Sequence, residues 1–123
     1  MGCHSGLNVS DRTASSVVTG TDWAQAFARQ GATYIGNTGF GYGDSDLIAY
    51  SERLMVNFVE ELNYTGGGAP TVGTALLRAK QRYFNSSPES GFSNYDEKVL
   101  AQMTLYGLPM RGITMPSQTS TPP

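Results

Sequence analysis

Apolar side chains in the middle of the chain recur at the spacing of an amphipathic helix. Between Asp46 and Leu62 they fall on one helical face, at Leu47, Ile48, Leu54, Met55, Phe58, Val59 and Leu62. A stripe of this kind is normally buried against another element of the fold. The pattern therefore predicts a long helix over 46–62 that packs on the core.

Two shorter helices are predicted from their capping residues and apolar faces. The first can be capped by Thr21 or Asp22 and ends at Gly31, a residue that suits the left-handed conformation beyond a helix. The second runs from about Thr71 to Phe84. Its apolar face is formed by Val72, Leu76, Ala79 and Tyr83.

A fourth helix is predicted to begin at Asn94. Glu97 follows three residues later, which resembles a capping box. The side chains expected to face inward are Val99, Leu100 and Met103.

Strands are fewer than helices in this pattern. The stretch Ala32–Asn37 reads as a strand, and partial strands are expected at Met1–His4 and Met110–Thr114. Because strands and helices alternate, we expect an α/β fold with a mainly parallel sheet covered by helices on both faces. So few strands cannot cover four helices, and we therefore expect a fragment of a larger domain that lacks its first strands.

Composition excludes several classes of function. The chain has 8 basic and 10 acidic residues, a net charge of −2, which argues against binding to nucleic acid or to an anionic membrane. No apolar run is long enough to cross a bilayer. A single cysteine excludes an internal disulfide.

The opening segment "MGCHSG" places that cysteine, Cys3, beside the only histidine, His4. Adjacent residues without further Cys or His do not match a zinc site, and Gly6 stands where a myristoylation motif requires Ser or Thr. Cys3 is then either a buried, inert thiol or a reactive nucleophile. In an extended segment the His4 ring would point away from the thiol, so these neighbours are not expected to form a catalytic dyad.

The order of motifs resembles the C-terminal half of the caspase-like cysteine peptidases, above all the gingipain family. It comprises "GCHSGLNV", "AFARQGATYIGNTGFGYGDSDL", the long amphipathic helix, "PTVGTALLRAKQRYF" and "VLAQMTLYGLPM". The resemblance implies a three-layer α/β/α caspase-like fold over residues 1–115, with 116–123 as a flexible tail or linker. Leu108 departs from it, because related chains often carry an acidic residue there.

The resemblance also implies catalytic roles. Cys3 would be the nucleophile of a cysteine endopeptidase, and the backbone N–H groups of Cys3 and Gly2 would bind the oxyanion. The catalytic histidine of the family precedes the nucleophile and is absent from this chain. The isolated chain is therefore expected to be inactive, because nothing activates the thiol or protonates the leaving amine.

The loop "GNTGFGYGDSDL" resembles the acidic segment that contacts Arg or Lys of the substrate in related enzymes. Asp44 or Asp46 would lie at the bottom of the specificity pocket, with Tyr42 or Phe40 as its wall. A carboxylate can bind a guanidinium through two hydrogen bonds. Asp46 is equally well explained as the N-cap of the long helix, and Asp44 as an ordinary loop residue.

The expected partners are protein or peptide substrates and the missing N-terminal part of the same domain. The residues indicate no metal site and no cofactor, and they leave a calcium requirement open. The resemblance further implies a secreted or surface-attached bacterial protein. The alternative function is a non-catalytic caspase-like module that serves binding or assembly.

Overall fold

The computed structural model describes residues 3–8, 22–64, 66, 68–86 and 91–115. This part of the chain forms four helices and two strands. In order they are α1 (Trp23–Arg29), β1 (Tyr34–Asn37), α2 (Tyr50–Asn63), α3 (Val72–Asn85), α4 (Asn94–Gln102) and β2 (Met103–Tyr106). The expected tail at 116–123 lies outside the described residues.

The expected three-layer fold with a mainly parallel sheet is wrong. In the described part of the chain, the sheet consists of β1 and β2 alone, and they run antiparallel with Tyr34 opposite Tyr106. The expected strand at the start of the chain is a turn at Cys3 and His4, where the structure describes it. The one over 110–114 contributes only an isolated bridge between Gly112 and Thr71.

The outer edge of β1 is open at one residue. Just beyond the paired strands, Thr38 N–H donates to Gln102 O (3.0 Å). This bond shows which residues of β1 direct their hydrogen-bonding groups toward β2. Because an antiparallel ladder alternates, Ile35 and Asn37 direct their N–H and C=O groups away from β2. Asn37 O accepts from Gly6 N–H (2.7 Å), whereas Ile35 has no such partner among the described residues.

Helices α2 and α3 form the main packing contact of the molecule. Both are amphipathic, and their apolar faces bury Leu54 and Phe58 from α2 and Ala79 and Tyr83 from α3. The inward face predicted for α3 is confirmed, since its four residues are all buried. Met103 of β2 completes this core from the sheet side.

Helix α2 begins four residues later than predicted. Its N-cap is Ala49, which makes no side-chain capping bond, so the interpretation of Asp46 as N-cap is wrong. Leu47 and Ile48 precede the helix and are 70% and 66% exposed. The first helical residue, Tyr50, has φ of 50°, a left-handed value that a bulky side chain seldom adopts.

The other helix caps follow the sequence more closely. Asp22 caps α1 through Gln25 N–H (2.8 Å), and Thr71 caps α3 through Thr74 N–H (3.2 Å). The capping box of α4 is formed by Ser93 and Asp96, one residue before the predicted pair. The Asp96 carboxylate also takes part in a buried cluster of polar side chains.

That cluster joins α2, α3 and α4 through a single carboxylate. Asp96 accepts hydrogen bonds from Tyr83 OH (2.6 Å), Ser93 N–H (2.9 Å) and Ser93 OH (2.5 Å), and Arg53 Nη2 lies 3.6 Å away. Burial opposes ionisation of Asp96, but these hydrogen bonds and the Arg53 charge outweigh it and lower its pKa. Burial and the bond to Asp96 raise the pKa of Tyr83, which therefore remains a donor.

The chain after β2 returns to the start of α3. Gly73 N–H donates to Pro109 O (2.7 Å), and Val72 N–H donates to Arg111 O (3.0 Å). These bonds satisfy two amide groups in the first turn of α3, which have no partner within the helix. In the part of the chain that the structure describes, no helix has the length and apolar character needed to cross a membrane.

Candidate functional site

The segment around Cys3 is a turn that lies against the carboxyl end of β1. His4 N–H donates to Gly39 O (2.7 Å), and Gly6 N–H donates to Asn37 O (2.7 Å). Leu7 N–H then bonds back to His4 O (3.0 Å), which closes the turn. The turn is therefore held to the end of the strand through main-chain bonds.

Two phenols hold the same turn from the sheet. Tyr34 OH donates to Ser5 O (2.9 Å), and Tyr106 OH donates to Gly6 O. Burial, with a smaller effect of Asp22 and Tyr34, raises the pKa of Tyr106. Because the phenol stays protonated, it can act as a donor over the whole physiological range.

The turn approaches β1 closely because glycines face each other. A Cβ on Gly6 would lie 2.6 Å from the carbonyl carbon and oxygen of Gly36, and a Cβ on Gly36 would lie 2.8 Å from Gly6 N. Neither position has room for a side chain. The close contact between Gly6 and Gly36 holds the turn that carries Cys3 against β1.

Cys3 is exposed at the surface. It is a free cysteine, and the N–H of Gly41 lies 3.4 Å from its Sγ. A donor of this kind interacts more strongly with a thiolate than with a neutral thiol. The position can therefore support nucleophilic chemistry if a base removes the proton.

The His4 ring packs against Phe40. The backbone φ of His4 is 55°, and its ring lies 4.7 Å from the ring of Phe40, at 53°. Among the described residues, no hydrogen bond joins the imidazole to the Cys3 sulfur. Residues 3–6 form a turn, whereas the separation of the two side chains was predicted for an extended segment.

The residues predicted for substrate binding lie along the loop between β1 and α2. Phe40 is 60% exposed beside His4, and Tyr42 is partly buried near the start of α2. Asp44 Oδ1 accepts from the N–H groups of Asp46 (2.9 Å) and Leu47 (3.2 Å), so this oxygen stabilises the local loop. Asp44 and Asp46 are both exposed, and no contact joins either carboxylate to Cys3 within the described part of the chain.

Gly2, predicted to contribute an oxyanion donor, lies outside the described residues. Within the described ranges, no group of three or more His, Cys, Asp and Glu side chains is placed to hold a metal ion.

Sequence reasoning missed the residues that position the thiol. Gly41 contacts the sulfur, and the phenols of Tyr34 and Tyr106 hold the turn. Gly6 and Gly36 offered a signal, because glycines at a tight turn and inside a strand indicate a close backbone approach. Tyr106 offered none, since it lies 100 residues from its partner.

No protein-family model matches the sequence, and no curated protein or solved structure matches the chain.

Proposed function

We propose that Cys3 is the nucleophile of a cysteine-type endopeptidase. The observation that carries the proposal is the exposed Cys3 beyond the carboxyl end of β1, with Gly41 N–H 3.4 Å from its sulfur. A nucleophile needs an open approach for a carbonyl carbon and donors for developing negative charge. Free cysteines that serve packing are commonly buried, unlike Cys3.

In the proposed reaction the Cys3 thiolate attacks the carbonyl carbon of a peptide bond and forms a thioester. The amine leaves with a proton from a general acid, and water then hydrolyses the thioester. His4 is the only histidine of the sequence, and its ring lies on Phe40. We therefore place the general base on polypeptide outside these 123 residues and expect no turnover from the isolated chain.

Cleavage after Arg or Lys remains part of the proposal. The carboxylates of Asp44 and Asp46 support it, because both are exposed on the loop that follows Gly41. Asp44 keeps Oδ2 for an incoming cation, since its two loop contacts use Oδ1. An ion pair between Asp44 and a substrate Arg or Lys would favour that substrate only moderately, because the position is exposed.

The test is the alkylation of Cys3 by a peptidyl chloromethyl ketone that ends in Arg. Sulfur displaces chloride and forms a thioether, a step that reports access and peptide binding without the missing base. We expect the labelling rate to saturate with reagent concentration, because the peptide binds before it reacts. Iodoacetamide should give a linear dependence in the same chain.

Mass spectrometry should locate the adduct on Cys3, and Cys3→Ser should abolish it. A linear rate with the peptidyl reagent, equal to that of a cysteine in an unstructured peptide, would refute the proposal. Turnover of Arg- or Lys-terminated peptides by the isolated chain, lost in Cys3→Ser, would show that the base lies within it.

A further inference from the structure

Three tyrosine rings meet where the loop after β1 reaches the first turns of α2 and α4. The rings of Tyr42 and Tyr95 lie 5.2 Å apart at 66°, and those of Tyr50 and Tyr95 lie 6.0 Å apart at 63°. Tyr95 is 52% exposed, and the other two are partly buried. Tyr95 therefore packs edge to face against both other rings, while about half of its own surface stays open to solvent.

A cation of the protein already lies over these rings. Lys98 Nζ is 6.0 Å from the centre of the Tyr42 ring and 5.7 Å from that of Tyr95. The face of an aromatic ring attracts a cation at such distances. Lys98 is exposed and forms no ion pair with a carboxylate of the described residues, so the rings are its local partners.

Two hydrogen bonds hold the main chain of Tyr42 to the first turn of α2. Tyr42 N–H donates to Ser51 Oγ (3.1 Å), and Ser51 N–H donates to Tyr42 O (3.0 Å). Ser51 itself is 2% exposed, so this pair is held in the core. Tyr50 adopts its position with φ of 50°, and backbone strain of this kind tends to occur at ligand sites.

A carboxylate lies near the loop that carries Tyr42. Glu52 Oε1 is 3.5 Å from the place where a Cβ on Gly43 would lie, and Gly43 directly follows Tyr42. A carboxylate near an aromatic site increases its preference for a cation over a neutral molecule of the same shape.

We propose that Tyr42, Tyr50 and Tyr95 form a binding site for organic cations. The ligand is an alkylammonium or guanidinium group, and Lys98 is the resident cation that it displaces. The ring faces attract the cation, and the ligand needs no hydrogen bond from the protein. The site does not depend on Cys3 being a nucleophile, and it stands without the peptidase proposal.

The test is a titration of the full chain with tetramethylammonium chloride, followed by NMR of the tyrosine ring protons at constant ionic strength. Lys98→Met should lower the Kd about two- to fivefold, because the competing cation is gone and one exposed cation–π contact is worth about that factor. Adding Tyr95→Leu to this variant should remove the binding. Adding Tyr95→Phe should keep it.

The matched control is Arg78→Met. Its guanidinium lies 5.9 Å from the ring of Tyr64, so the substitution removes a similar contact at another place and should leave the Kd unchanged. Tert-butanol, a neutral molecule of similar size, should not bind. Equal Kd values for the wild type and Lys98→Met, or equal shifts with tert-butanol, would overturn the proposal.

Circular dichroism of each variant checks folding. Tyr95 is half exposed and Lys98 is exposed, so both substitutions spare the core. A loss of binding in the Tyr95→Leu variant supports the site only if the spectrum of that variant is native. Tyr95→Phe is the control for Tyr95→Leu, because it removes one hydroxyl and keeps the ring.

Discussion

Gly6 and Gly36 show how single residues place the candidate nucleophile. Gly6→Ala would put a methyl group 2.6 Å from the Gly36 backbone, which cannot yield as a flexible side chain can. We expect a loss of about 1–3 kcal/mol in the free energy of unfolding, because the turn must move away from β1. Urea denaturation measures this loss, and the alkylation rate of Cys3 reports the displacement.

Gly112→Ala is the matched control for that substitution. A Cβ on Gly112 meets no atom within 4 Å, and its φ lies outside the left-handed region. Its stability and the alkylation rate of Cys3 should stay close to those of the wild type. Equal effects of the two substitutions would show that the contact between Gly6 and Gly36 does not hold the turn.

Asp96 gives a prediction about pH at the same scale. Its pKa in the folded chain lies below the ordinary value of 3.8, so ionised Asp96 stabilises the fold above that pH. We expect Asp96→Asn to cost about 1.5–3 kcal/mol at neutral pH, the usual worth of hydrogen bonds to a charged group. The difference from the wild type should shrink as the pH falls below 3.8 and through the lower native pKa.

Urea denaturation at several pH values measures that difference. Glu97→Gln, on an exposed position of the same helix, controls for the introduction of an amide and should change the stability less. A difference between Asp96→Asn and the wild type that does not vary with pH would contradict the assignment.

At the scale of elements, the contact between α2 and α3 carries the core. Leu54 of α2 is 0% exposed, and Leu54→Ala should cost about 2–5 kcal/mol through lost burial and a cavity. Leu77→Ala on α3 removes the same atoms from a side chain that is 58% exposed and should cost less than about 1 kcal/mol. Similar midpoints in urea for the two variants would contradict this packing.

Elements that depend on neighbouring residues could be predicted from the sequence. Asp22 as a cap and the buried face of α3 are examples, because caps and helical faces are set within a few residues. Met103 shows the limit. It continues the helical spacing of Val99 and is indeed buried, but the chain has already left the helix and entered β2.

The candidate site could be predicted only in part. Cys3 was found because the cysteine is unique, whereas its contact with Gly41 spans 38 residues and no local pattern specifies it. Asp46 had the right residue type for a helix cap, but the helix begins at Tyr50 in a rare conformation. Long-range contacts and backbone strain are decided by the whole fold.

At the scale of the whole molecule, the two-stranded sheet makes a prediction for hydrogen exchange. Tyr34 and Gly36 direct their N–H groups toward β2, whereas Ile35 directs its N–H outward, where no described residue accepts it. The Ile35 amide should therefore exchange faster than its two neighbours in NMR. Slow exchange at Ile35 would show that a further strand pairs with β1.

The outer edge of β2 is covered by a lysine side chain. Met103 directs its carbonyl outward from β2, and Lys80 Nζ of α3 donates to it (2.8 Å). Burial of Lys80 lowers its pKa. A cation seated on a strand obstructs the arrival of another. The ammonium thus hinders growth of the sheet beyond β2, whereas beyond β1 the turn at Gly6 already covers Asn37 and leaves the Ile35 amide open among the described residues.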